Sequence, residues 1–94
     1  MRFLFPKTRF VDTVNERVQA HKIFDEALEL DYAHLHLESD ERKASEALDV
    51  MQAAETYLRQ LEGRKGPGWL EDQFQAHIKK LTTRGSYNCE VLNR

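Results

Sequence analysis

The 94-residue, 11.1 kDa chain has the length of one small domain. Fourteen Lys and Arg against sixteen Asp and Glu leave a net charge of −2, where a nucleic-acid binder working by counterion release would be far more basic. At 40% hydrophobic and 32% charged, with no apolar run near the ~18–20 residues of a bilayer span, the composition argues against a membrane protein and against a disordered acidic tail.

The lone Cys89 excludes an intrachain disulfide framework and any CxxC zinc site, which fits a reducing cytoplasm. The start, MRFLFPKTRF, has too short an apolar stretch for a signal peptide and no small-residue cleavage site. A cytoplasmic, membrane-free single domain over residues 1–94 is the expectation. So small a chain buries only about 60–65% of its unfolded surface, so self-association is expected too.

Residues 1–12 read as an aromatic N-terminal arm interrupted by Pro6. Thr13-Val14-Asn15-Glu16 has the form of a capping box, with Thr13 as N-cap. Val14, Val18, His21, Leu28, Tyr32 and Leu35, with Phe24 alongside, then recur at helical steps and predict an amphipathic helix of about twenty residues. Ser39-Asp40-Glu41 supplies the next N-terminal signal. Ala47, Met51, Ala54, Leu58 and Leu61, widened by Leu48, predict a second helix ending at Gly63 as the C′ residue. Residues 63–68 (GRKGPG) read as a loop, and a third helix is expected from Trp69 to Thr83, ended by Gly85. Residues 86–94 form a tail. The fold class is all-α: an antiparallel helical hairpin plus a third helix, the bundle completed by oligomerisation.

Charge is uneven along the chain. Residues 1–24 carry five basic and two acidic side chains, residues 25–49 two basic and nine acidic, and residues 50–94 seven basic and five acidic. Within the acidic segment Glu26 and Glu29 are spaced i, i+3, as are Glu46 and Asp49, so each pair shares a helix face. Both Glu29–Glu46 and Glu26–Asp49 are centred between Leu37 and Glu38, where the helix break falls independently. A hairpin therefore sets the pairs level. Four facing carboxylates repel unless a cation joins them, and hard divalent ions take such oxygen ligands. The alternative is a solvated acidic face.

The stretch Asp25-Glu26-Ala27-Leu28-Glu29, followed after sixteen residues by Glu46-Ala47-Leu48-Asp49-Val50-Met51-Gln52, resembles the signature of the MazG-like nucleotide pyrophosphohydrolases, small phage or bacterial type. The resemblance covers residues 25–52. It departs from the family at Ser45, where a Lys often precedes the second glutamate; Lys43 lies two residues earlier. It implies an all-α homodimer or homotetramer that hydrolyses a nucleoside or deoxynucleoside triphosphate between the α- and β-phosphates. Glu26, Glu29, Glu46 and Asp49 would hold Mg²⁺, with Mn²⁺ as the alternative ion. Glu29 is the candidate catalytic carboxylate, orienting or deprotonating water, and Asp25 a supporting neighbour. Lys22, Lys79, Lys80 and Arg84 are the candidate substrate-binding cations, with Arg64 and Lys65 nearby in sequence.

Other features carry less. His34 and His36 are two apart and cannot chelate from one helix face, and His21 and His77 fall on apolar faces as packing residues. Trp69 reads as a packing anchor. No GxxxxGK[ST], HExxH or GxSxG occurs. The rival readings are a non-catalytic helical oligomerisation or interaction module and, less favoured by the acidic centre, a nucleic-acid-binding helical domain.

Overall fold

A computed structural model describes residues 1–85 and contains four helices: α1 (Phe10–Thr13), α2 (Glu16–Leu35), α3 (Asp40–Lys65) and α4 (Pro67–Thr83). The described residues are all-α, with no strand among them. The tail, residues 86–94 with Cys89, lies outside them. No helix of the described residues is long and apolar enough to cross a membrane.

The α2–α3 hairpin is the body of the fold, and its ends follow local chemistry. Asn15, not Thr13, caps α2: its Oδ1 accepts from the Val18 amide at 2.8 Å. Thr13 instead ends the short α1, where its hydroxyl donates to the Arg9 carbonyl at 3.0 Å. Extended backbone at Val14 (φ −120°, ψ 136°) separates the two helices, so the cap moves two residues on. Ser39 caps α3 as its sequence predicts, accepting from the Arg42 amide at 3.1 Å. Between them Leu37 sits at φ 52°, and Glu38 and Leu37 donate back to Ala33 and His34 at 3.1 and 3.2 Å. That is a Schellman closure with a leucine in the left-handed position glycine normally fills.

The expected loop at 63–68 is a correction. α3 runs through Gly63 to Lys65, and only Gly66, at φ 97°, separates it from α4. The break falls here because Pro67 has no N–H to continue α3 and disfavours helical backbone in the residue before it. Pro67 then begins α4, two residues ahead of the expected Trp69, in the first-turn position where a missing N–H costs nothing. Gly85, at φ 74°, follows the end of α4 as expected.

The core differs most from the periodic reading. Among the described residues the fully buried apolar side chains are Ala33, Ala53 and Leu70, whereas Gln19, Glu46, Glu55, Thr56 and Gln60 are buried too. Gln19 Nε2 donates to the Ala53 carbonyl at 3.0 Å, and Gln60 Nε2 reaches the Val14 and Phe10 carbonyls. Of these, the Gln19 bond crosses from α2 to α3, and Gln19 shares the inner face of α2 with the buried Ala33 and the half-buried Ile23 and Leu30. The stripe Val18, Phe24, Leu28, Tyr32 and Leu35 faces outward, each residue more than half exposed (52–69%). Leu48 and Met51 of α3 are also exposed, as are His21 and His77, which are not packing residues in this chain.

The N-terminal arm lies along α3. Both carboxylate oxygens of the buried Glu55 accept from it, from the Leu4 and Phe5 amides at 2.8 and 2.9 Å. Arg59 donates to the Phe5 carbonyl at 2.7 Å and stacks its guanidinium over Phe3. The N-terminal ammonium pairs with Glu71 of α4. Arm, hairpin and α4 are therefore tied through α3.

Candidate metal centre

The hairpin brings the acidic pairs together. Ligand oxygens of Glu26, Glu46 and Asp49 all lie within 4.8 Å of one another. This is the level pairing across the turn that the two i, i+3 spacings imply. Glu29, expected as a fourth ligand, is not in this trio; it neighbours it, lining a cavity together with Glu46. Its carboxyl is held above the ordinary glutamate value, first by the charge of Glu26, then by partial desolvation and by the neighbouring Glu46.

Glu46 is the structural centre of the group. Its side chain is only 4% exposed, Arg42 Nη2 lies 2.9 Å from Oε1, and Oε2 is buried with no hydrogen-bond partner. A buried carboxylate oxygen without a donor is costly, and a cation is one partner that would satisfy it. The donor set is all oxygen, as Mg²⁺ or Mn²⁺ requires. Octahedral ligands around Mg²⁺ stand about 3–4 Å apart, so modest side-chain adjustment would close the trio on one ion. These residues fit a divalent cation.

Two cavities flank the carboxylates. One, of about 230 Å³, has Glu26 and Asp49 at one end and Thr8, Phe10, Gln19, Gln52 and Thr56 around the rest. The arm forms its outer wall, locked by a 3.1 Å contact between the Thr8 and Thr56 hydroxyls. The other, of about 420 Å³, is lined by Leu28, Glu29, Tyr32, Glu38, Arg42 and Glu46. The carboxylates thus border both cavities, Glu26 and Asp49 one and Glu29 and Glu46 the other.

Of the candidate cations, Lys22 stands at the site and is already engaged. Its Nζ is 2.9 Å from Glu26 Oε1, and that hydrogen bond raises its pKa. Lys79, Lys80 and Arg84 lie on or just past α4, which packs against α3, and line neither cavity beside the carboxylates. Arg64 pairs with Glu16 at 3.0 Å, and Lys65 stacks over Trp69. Asp25 turns to His21 at 3.5 Å rather than to the cluster. Lys43 faces Asp40 at 3.8 Å and not the carboxylate cluster.

Arg42 is the residue that sequence reasoning missed. The signal was present: Glu38, Arg42 and Glu46 are spaced i, i+4, which stacks one guanidinium between two carboxylates on a helix face. Thr8, Gln19 and Thr56 carry no such signal, because only docking of the arm brings them beside the acidic group.

Comparison of the chain with protein-family models, curated proteins and solved structures finds no match.

Proposed function

We propose that the protein is a Mg²⁺-dependent nucleoside or deoxynucleoside triphosphate pyrophosphohydrolase that releases pyrophosphate and a nucleoside monophosphate. The observation that carries this reading is the convergence of Glu26, Glu46 and Asp49 within 4.8 Å around a buried, unpartnered carboxylate oxygen. The resemblance of residues 25–52 to the MazG-like pattern supports it. Bound there, Mg²⁺ (or Mn²⁺) would offset phosphate charge and lower the pKa of an attacking water.

The chain's own residues have separable tasks. Glu26, Glu46 and Asp49 hold the ion. Glu29, the member whose proton affinity is raised, orients the water and accepts its proton. Lys22 at the cluster edge exchanges its Glu26 partner for a phosphate oxygen. The smaller cavity takes the nucleoside end, because it joins Glu26, Asp49 and Lys22 to the hydroxyl and amide groups of Thr8, Gln52 and Thr56 and to the ring of Phe10. Lys79, Lys80 and Arg84 reach phosphates only from a neighbouring subunit of a cytoplasmic homodimer or homotetramer.

A second reading, a non-catalytic helical oligomerisation module, is favoured by one observation: Lys22 and Arg42 already pair with Glu26 and Glu46 inside the chain. Chemical denaturation with Mg²⁺ and a non-hydrolysable nucleoside triphosphate analogue separates the two. The enzyme reading expects about 2.7 kcal/mol of stabilisation when the ligands stand a hundredfold above their Kd. No response to Mg²⁺ plus the analogue would leave the module reading in its place.

A further inference from the structure

Leu70, Phe74, His77 and Leu81 of α4 are spaced by four, three and four residues, so they share one face of the helix. The first three, with Gln73, Leu58 of α3 and Met1, line an apolar cavity of about 340 Å³. Leu70 is buried there, whereas Phe74 is still 39% exposed. None of the clustered carboxylates lines this cavity. Its walls offer water few hydrogen bonds, so an apolar cover is favoured over solvent.

The end of α4 turns the chain. Arg84 and Gly85 donate to the Lys80 and Thr82 carbonyls at 3.1 and 3.0 Å. Gly85 takes φ 74°, the left-handed position that carries the backbone off the helix axis. The sequence continues as SYNCEVLNR, residues 86–94, beyond the described residues. In it Tyr87, Cys89 and Val91 alternate with the polar Asn88 and Glu90 before Leu92 ends the pattern.

We infer that residues 86–91 return along α4 in extended form and that Val91 fills this apolar cavity. An extended chain advances about 3.3 Å per residue and a helix about 1.5 Å, so each residue past Gly85 passes roughly two residues of α4. Tyr87 then comes level with Leu81, Cys89 with His77, and Val91 with the turn between Leu70 and Phe74. Tyr87, Cys89 and Val91 share one side of an extended segment, so all three face the apolar line of α4 together. Tethering favours this occupant over one supplied in trans. A segment joined through so short a connection acts at a roughly millimolar effective concentration. The docked segment is independent of the hydrolase reading.

Cys89 is the only cysteine, so one added cysteine defines one pair. His77→Cys places a thiol beside the docked segment, and Lys79→Cys, about 200° round the helix, is the control. Both positions are exposed, and circular dichroism confirms that each variant is helical. With oxidised glutathione at micromolar protein, His77→Cys should close an intrachain disulfide at least about tenfold faster than Lys79→Cys. Adding Val91→Asp to His77→Cys should remove that advantage. Mass spectrometry of the unreduced protein separates intrachain from interchain bonds. In the protein without added cysteine, Val91→Asp should also shift the methyl resonances of Leu58 and Leu70. Equal intrachain rates at the two positions overturn the inference. So do interchain disulfides alone, which give the cavity to a second copy, or rates and methyl resonances indifferent to Val91→Asp.

Discussion

Glu46→Gln probes the carboxylate group at its most buried member. Ligand oxygens of Glu46, Glu26 and Asp49 lie within 4.8 Å, and the Glu46 and Glu26 side chains are only 4% and 12% exposed. Two unit charges at that separation repel by about 1 kcal/mol at the dielectric of water and about 3.5 kcal/mol at an effective value near 20. The opposing loss is the contact with Arg42. That side chain is 58% exposed, which holds the pair near the ~0.3–0.5 kcal/mol typical of i, i+4 helix pairs. The amide keeps the shape of the carboxylate and adds a donor that the neighbouring carboxylates accept. Urea denaturation in EDTA should therefore find the variant more stable than wild type by about 1–3 kcal/mol. Mg²⁺ should then raise the wild type and leave the variant nearly unchanged. A loss of more than ~1 kcal/mol in EDTA, with no Mg²⁺ response in the wild type, would refute the reasoning and make Glu46 a structural partner of Arg42.

The Glu29 carboxyl should titrate above the ordinary value of 4.5 when followed by side-chain NMR. A raised folded-state pKa means that its stabilising share is present below the unfolded value and lost as pH rises through the folded one. Glu29→Gln should flatten that part of the stability profile; an unchanged profile contradicts the repulsion from Glu26. Leu37→Gly should raise stability by about 1 kcal/mol in chemical denaturation, since Leu37 is 85% exposed and holds φ 52° at a steric cost glycine does not bear. A loss would mean that the leucine side chain stabilises the turn. Glu55→Ala should cost about 1–3 kcal/mol and speed amide exchange at Leu4 and Phe5, whose N–H groups its carboxylate accepts. Unaltered protection at those two amides would show that the arm is held by other contacts.

The hairpin and its acidic register were legible because both follow from local periodicity. Two i, i+3 carboxylate pairs centred on one break need only the helix rise and a short turn. Ser39 was legible as a cap for the same reason. Thr13 misled because a capping box and an Asx cap two residues later look alike in sequence; the extended Val14 decides between them. Gly63 misled because one glycine inside a helix costs only about 1 kcal/mol, whereas Pro67 acts on the backbone before it by steric exclusion.

The deeper difference is in the core. Apolar periodicity on α2 marks a face to be covered, without naming what covers it. In this chain Gln19, Glu46, Thr56 and Gln60 are buried, whereas Phe24, Leu28 and Tyr32 are exposed. Buried polar residues leave no periodic trace, since what makes them tolerable is a hydrogen bond to a distant carbonyl, such as that of Ala53. The recess beside Glu26 was hidden for a similar reason: Thr8 meets Thr56 only after the arm has docked.

On the proposed reading, these carboxylates support cleavage of a phosphoanhydride bond. Its most direct test is phosphorus NMR of a panel of nucleoside and deoxynucleoside triphosphates, with Mg²⁺ and with EDTA, for the wild type and Glu46→Gln. Pyrophosphate and a nucleoside monophosphate should form from at least one substrate, only with Mg²⁺ and only with the wild type. Orthophosphate and a diphosphate as products, or no turnover by folded protein across the panel, would contradict it.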